Sequence, residues 1–429
     1  MSPMQLAIVA DDLSGAAECA AHALLRVSRS SVVLHGRPDP ADQIITLDTD
    51  TRGRGGDEVS DRLRVAAGLV RSAPVVVKKV DSLLRGNLSR EIASLAEELG
   101  RTPVVAVANP ALRRTVRGGI LHIGDTPLHA TELWRVEASE PPRSVVQALA
   151  PLPAIVIPQS VVAEGVDAVA TALGSAARAG AIAVCDSLTE HDLTTIHAAT
   201  LATTHETLLV GSGALVDVAV RALAPEPGLP PQAVNERAPL TPRVTSLLMV
   251  LGRRAPSASA QLARVSERAD HVEVIAPTDL LTDLAGVTAR LSTAVSTIRE
   301  ARLVVVTIDP AAVVDATTSV RLVAALAEVV AAVVHRFGGV FLSGGETARA
   351  VLDRLDAQTL RVVAELDTGT VVSHRDGGAV VVTRPGSFGG PDSLLHVAER
   401  LLDSRTTPRS TDTATTAHAP QHVTPKENR

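Results

Sequence analysis

Tyrosine is absent from this chain, and only four other aromatic side chains occur in 429 residues: Trp134, Phe337, Phe341 and Phe388. Stacking platforms for single-stranded nucleic acid need such rings. The net charge of −6 also denies the chain the positive field that nucleic acid or an anionic membrane would require. Neither partner is expected. Cysteine is nearly absent too. Cys19 and Cys185 can form neither a disulfide framework nor a metal cluster, so a reducing, cytoplasmic setting is expected. The opening MSPMQLAIVADD lacks a basic flank and reads as a first strand, not a signal peptide. No uncharged apolar run of about 18 residues marks a membrane span; Leu322–Val334 is broken by Glu328 and reads as a buried helix. Also missing are a Gly-x4-Gly-Lys-Ser/Thr loop, the protein-kinase set, His-Glu-x2-His, Gly-x-Ser-x-Gly and Gly-x-Gly-x2-Gly. Their absence disfavours the common hydrolase, metallopeptidase and dehydrogenase classes.

Apolar residues make up 45% of the chain, enough for a large core. Short Val/Ile/Leu runs alternate with Ala-rich helical stretches. Strands without polar alternation, separated by helices, imply α/β architecture with mostly parallel sheets covered on both faces. One such series runs from Gln5 to Val210 and a second from Ser246 to Val382. Between them, residues 224–243 hold six prolines and read as a linker. The expected organisation is two α/β domains, 1–223 and 244–403, with a ligand cleft between them, followed by a disordered Thr/Pro/Ser/Ala-rich tail at 404–429.

Open parallel sheets bind ligands beyond the C-terminal ends of their strands, so the residues just after each strand carry most information. The first strand ends in Asp11-Asp12-Leu13-Ser14-Gly15, where Asp12 can cap a helix or accept a hydroxyl proton. The third ends in Asp48-Thr49-Asp50-Thr51-Arg52. The fourth ends in Lys78-Lys79-Val80-Asp81-Ser82-Leu83-Leu84-Arg85-Gly86-Asn87. Nearly all of the 41 basic residues are arginine, and only Lys78, Lys79 and Lys426 are lysine, so two lysines side by side weigh heavily. Cations beside a hydroxyl and a carboxylate suit a small hydroxy acid: Arg grips a carboxylate bidentately and Lys acts as a compact charge. In the second half, Ser343-Gly344-Gly345-Glu346-Thr347 and Arg384-Pro385-Gly386-Ser387-Phe388-Gly389-Gly390 are glycine-rich strand-to-helix turns, whose amides can cradle phosphate.

Together with Arg114-Thr115, Gly119 and Pro127-Leu128-His129-Ala130-Thr131-Glu132, these clusters resemble those of the four-carbon acid sugar kinase family over most of residues 4–403. The resemblance implies an N-terminal sugar-acid domain, a C-terminal nucleotide domain, and transfer from ATP, with Mg2+, to the terminal hydroxyl of a threonate, erythronate or 3-oxo-tetronate. It implies a sugar-acid site of Asp12, Arg52, Lys79, Asp81, Ser82 and Arg85. Asp12 or Asp81 would be the catalytic base, and Asp12 is favoured because Lys79 and Arg85 flank Asp81. It implies a nucleotide site of Gly252, Ala255, Gly344, Gly345, Glu346, Thr347, Gly386 and Gly389. Metal ligands and the oligomeric state are left open. One turn departs from the family: Gly252-Arg253-Arg254-Ala255-Pro256-Ser257-Ala258 replaces small hydroxyl residues with Arg253, Ala255 and Ala258. Arg253 either meets a phosphate, obstructs it, or faces solvent. The alternative reading is therefore a divergent member that binds a sugar acid with weak or no kinase activity; a nicotinamide-dependent hydroxy-acid enzyme is a third.

Overall fold

A computed structural model of the chain describes residues 4–134, 139–229, 242–252, 258–298, 302–312, 316–386 and 388–402. The linker's centre and the tail lie outside these residues. The first half contributes strands β1 (Leu6–Ala10), β2 (Ser30–Val33), β3 (Ile44–Asp48), β4 (Val75–Lys79), β5 (Thr102–Ala106), β6 (Arg114–Arg117), β7 (Ile120–Ile123), β8 (Thr126–Pro127), β9 (Ala154–Ile157), β10 (Ile182–Cys185) and β11 (Thr207–Gly211). The second contributes β12 (Leu247–Leu251), β13 (His271–Ile275), β14 (Leu303–Ile308), β15 (Gly339–Ser343), β16 (Thr359–Glu365), β17 (Val371–Arg375) and β18 (Val380–Arg384). Unbroken apolar runs such as LAIVA in β1 and LLMVL in β12 are buried at every position, as strands covered on both faces must be.

The α/β class and the mostly parallel pairing agree with the sequence. The halves, however, share one continuous sheet of 15 strands, ordered 13-14-12-15-18-17-16-2-3-1-4-11-5-10-9. The join is the antiparallel pairing of β2 with β16, from Thr359↔Val33 to Val362↔Ser30. β17, which the sequence reading passes over, pairs antiparallel to β16 and β18 and completes the bridge. A separate hairpin sheet, β6-β7-β8, forms an excursion after β5.

Burial explains why the halves meet firmly. One apolar cluster draws Leu13, Ala16, Ala17, Ala20, Val32 and Leu34 from the first half, and Val351, Leu352, Leu360 and Val371 from the second. At roughly 1.5–3 kcal/mol per buried aliphatic side chain, this shared cluster is a substantial source of cohesion. The helix Leu13–Ala23 lies at its centre, touching β2, β3, β16, β17 and the helix Gly345–Arg354. The helix Thr318–Arg336 is long and apolar enough to cross a membrane, but Leu322, Leu326, Val329, Val330 and Val333 pack into this same core.

Each half has a topological switch point, where the chain turns from one side of its first strand to the other. In the first half β1 lies between β3 and β4, and in the second β12 lies between β14 and β15. Ligand crevices form at such points in doubly wound sheets.

Candidate active site at the junction of the halves

The first switch point gathers the acidic and basic residues that follow β1, β3 and β4. Asp12 caps the helix Leu13–Ala23, its Oδ1 accepting from Gly15 N–H at 3.1 Å. After β3, the turn is pinned because the amides of Thr51 and Arg52 both donate to Asp11 O. That turn delivers the Arg52 guanidinium to two carboxylates. Nε donates to Asp11 Oδ2 at 2.7 Å, and Nη1 and Nη2 donate to Asp12 Oδ2 and Oδ1, each at 2.8 Å. From β4, Lys79 Nζ donates to Asp12 Oδ1 at 3.3 Å and lies 3.7 Å from Asp11 Oδ1. The fit is close: a Cβ on Gly15 would fall 1.8 Å from Lys79 Nζ, so any side chain there would displace Lys79 from Asp12.

Lys78 parts company with Lys79. Neighbouring strand residues face opposite sides of a sheet, and Lys78 is fully buried on a salt bridge to Glu91 at 2.9 Å. It is a structural pair, not a second cation in the site.

Asp81 is saturated. Its Oδ2 accepts from the Leu83 and Arg85 amides and from Arg85 Nε at 2.7 Å, while Oδ1 accepts from Arg85 Nη2 at 2.8 Å. Burial alone would raise the Asp81 pKa, but the Arg85 hydrogen bonds and then the charges of Arg52, Arg85 and Lys79 hold it well below the usual carboxylate range. Burial likewise opposes ionisation of Asp11, and Arg52, Lys79 and Lys78 outweigh it, bringing the carboxyl down to about 2. Lys79 shows the converse: burial disfavours its charge, yet Asp12 and Asp11 raise its pKa above the ordinary value.

Two members escape the sequence reading as site residues. Asp11 anchors Arg52. Arg114, on β6, donates through Nη1 to Ser82 Oγ, while its buried Nε makes no hydrogen bond. Burial lowers the Arg114 pKa, partly offset by Asp81. Arginine is so common here that Arg114 carried little signal alone.

The second switch point is built from backbone. Gly344 has φ +98° and precedes the helix Gly345–Arg354, whose N-terminus has no side-chain cap, so its first amides remain available. Gly344 N–H donates to Arg384 O at 2.8 Å, and Gly252 N–H donates to Ser343 O at 3.0 Å. A Cβ on Gly252 would meet Ser343 O and Thr347 Oγ1 at 2.8 Å, and one on Gly386 would lie 3.5 Å from Gly344 Cα. Gly252, Gly344, Gly386 and Thr347 are thus brought together, and a side chain on Gly252 would fill the cradle. Gly389, with φ +88°, sits instead beside Ser393 and the Gln261–Arg384 pair that braces the turn. Burial lowers the Arg384 pKa to about 10, with Asp367 countering only in part. Ala255 and Arg253 lie outside the described residues. Among the described residues, no group of three or more His, Cys, Asp or Glu is placed to hold a metal.

The two crevices meet. A Cβ added to Gly345 would stand 3.0 Å from Ser14 Oγ and 3.2 Å from Asp12 Oδ2. The glycine turn of one half therefore abuts the carboxylate of the other.

A crevice of buried carboxylates and cations facing a glycine turn with uncapped amides points to a class: a two-part α/β protein suited to a small acidic ligand beside a phosphate group. Family comparisons agree. Residues 6–219 match the model of a sugar-binding N-terminal domain, and residues 248–394 that of a nucleotide-binding C-terminal domain. The chain is 32% identical over 419 residues to a D-threonate kinase of Cupriavidus necator, covering 94% of this chain and 99% of the relative. It is 26% identical to a D-erythronate kinase of Heliobacterium modesticaldum (92% and 96% covered) and 27% identical to a 3-oxo-tetronate kinase of Methylobacterium radiotolerans (91% and 97% covered). Solved structures from Salmonella typhimurium (TM-score 0.73, 18% identity, covering 92% of this chain and 98% of that one) and Haemophilus influenzae (TM-score 0.69, 16% identity, covering 92% and 99%) share the fold. The chain belongs to the four-carbon acid sugar kinase family.

Proposed function

We propose that the protein is an ATP-dependent kinase that phosphorylates the terminal hydroxyl of a four-carbon acid sugar. The observation that carries this reading is the approach of Gly345 to Asp12, which would bring phosphate donor and hydroxyl acceptor face to face. Residues 1–223 would hold the sugar acid and 244–403 the nucleotide.

The residues present fit a triphosphate: uncapped amides at 345–347, and a cradle that a side chain at Gly252 would fill. ATP, bound with Mg2+, supplies the phosphoryl group. Asp12 is the base. Its Oδ1 takes three donors, from Gly15, Arg52 and Lys79, whereas Oδ2, the oxygen facing Gly345, takes only Arg52 Nη1. Oδ2 thus retains a lone pair for the hydroxyl proton. Asp81, fully engaged by Arg85 and two amides, positions rather than abstracts. Lys79 offsets negative charge beside the reacting oxygen, and Arg52 holds the base in orientation. Arg114, Arg85 and Ser82 form the cationic, hydroxyl-bearing end that suits the substrate carboxylate. Phosphoryl transfer is mainly positioning and charge neutralisation, which this arrangement supplies.

The test is ATP consumption by the full chain with D-threonate, D-erythronate and a 3-oxo-tetronate, with the product analysed for a phosphate ester on the hydroxyl remote from the carboxylate. Turnover with at least one of them is expected. Absence of turnover with all three, while both ligands bind, would reject the kinase reading in favour of a binding protein.

A further inference from the structure

The helix that begins at Gly345 carries a second connection to the first half, one turn further on. Arg349 is 5% exposed, and its guanidinium spans several partners. Nη1 donates to Asp48 Oδ2 at 2.8 Å, Nη2 donates to Leu34 O at 3.3 Å and lies 3.0 Å from His35 Nε2, and Nε donates to Asp353 Oδ1 at 2.8 Å. Asp48, Leu34 and His35 belong to the first half; Asp353 lies on Arg349's own helix. Asp48 is fully buried and closes β3. Its Oδ1 accepts from Asp50 N–H at 3.0 Å, so it also shapes the turn that presents Arg52 to Asp11 and Asp12.

Arg349 therefore ties the helix bearing the phosphate turn to the loop bearing the guanidinium that orients Asp12. The β2–β16 ladder joins the halves along the sheet, but the helix Gly345–Arg354 itself meets the first half largely through apolar packing in the shared core, which is non-directional. A buried guanidinium held by a carboxylate and a carbonyl of the other half has directional bonds, and so fixes register.

We infer that Arg349, with Asp48, is a positioning pair for phosphoryl transfer, holding the glycine turn at Gly345 in register with Asp12. The inference rests on the kinase reading above. The pair touches neither reacting atom: its effect passes through the helix Gly345–Arg354 on one side and the 48–52 turn on the other. A misplacement near 1 Å arising away from the chemistry can cost about 10²-fold in rate.

The experiment compares full-length wild type with Arg349→Lys, Arg349→Met, Asp48→Asn and the double variant R349M/D48N. It measures kcat, both KM values, and melting by circular dichroism. Arg349→Met is expected to lower kcat by about 10²-fold with both KM values held. Arg349→Lys, a single point of charge without the fork, should recover part of that loss. The double variant should be no slower than Arg349→Met, because the two side chains act as one unit. If Arg349→Met does not fold, Arg349→Lys and Asp48→Asn carry the test, each expected to lose turnover at unchanged KM. A folded Arg349 variant with wild-type kcat overturns the inference, as does a rise in either KM that matches the fall in kcat. An inactive wild type would instead defeat the kinase reading, and this inference with it.

Discussion

The two crevices are made of different materials. The first consists of side chains: Asp11, Asp12 and Asp81 interleaved with Arg52, Lys79, Arg85 and Arg114. The second is mostly backbone, with Gly252, Gly344, Gly345 and Gly386 clearing space around uncapped amides. A polyol acid offers a carboxylate and several hydroxyls, so recognising it takes many charged and hydroxyl groups placed individually. A phosphate chain needs converging N–H dipoles and room to approach, which glycine supplies. The first crevice should therefore fail when charge is removed, and the second when volume is added.

The largest effect is expected at the seam. Asp12→Asn keeps the shape of the carboxylate and removes its basicity, so turnover should fall by about 10²–10⁴-fold while the ATP Kd stays near wild type, measured by steady-state kinetics and calorimetry. Near-normal turnover would return Asp12 to helix capping alone. Removing charge elsewhere in the first crevice should separate two functions. Arg85→Ala leaves Asp81 buried without its fork and should lower stability by about 3 kcal/mol in denaturant unfolding. Arg114→Ala frees no such partner and should instead raise the sugar-acid KM with little change in stability.

Adding volume gives the complementary break. Gly344→Ala forces a side chain onto φ +98° and should weaken ATP binding with sugar-acid binding intact. Gly345→Val differs, because its side chain would also press on Ser14 and Asp12. It should damage turnover as well as nucleotide binding, so it is not a clean probe of the nucleotide side.

The smallest effect is acid sensitivity, and it too belongs to the first crevice. Asp11 and Asp81 both have folded pKa values below the unfolded carboxylate value of 3.8. Their contribution to stability is full above that value and is lost as the pH falls through about 4 toward 2. Asp81→Asn should therefore lose less stability than wild type between pH 5 and pH 3, as read from urea midpoints.

Much of this was readable before the structure, for identifiable reasons. Uninterrupted apolar strands such as LLMVL announce themselves, and the scarcity of lysine made Lys79 visible. Other features were hidden by their physics. The pairing of β2 with β16 joins residues more than 300 positions apart, and no local pattern signals it. β17 alternates only weakly in VVSHR and follows a turn. Arg349 was lost against an arginine-rich background, and Arg114 stood out only within the Arg114-Thr115 landmark without a role, although both lie largely out of solvent in the fold. The separation of Lys78 from Lys79 was legible in principle, since adjacent strand residues face opposite sides.

The central claim is that phosphate donor and hydroxyl acceptor meet between Gly345 and Asp12. The most direct measurement is a crystal structure of the full chain with a non-hydrolysable ATP analogue and a tetronate bound together. The account predicts the terminal phosphate at the uncapped amides of Gly345–Thr347, with the substrate's terminal hydroxyl hydrogen-bonded to Asp12 Oδ2 and about 3–3.5 Å from the phosphorus. A hydroxyl bound away from Asp12, or a terminal phosphate lodged elsewhere than at this glycine turn, would contradict it.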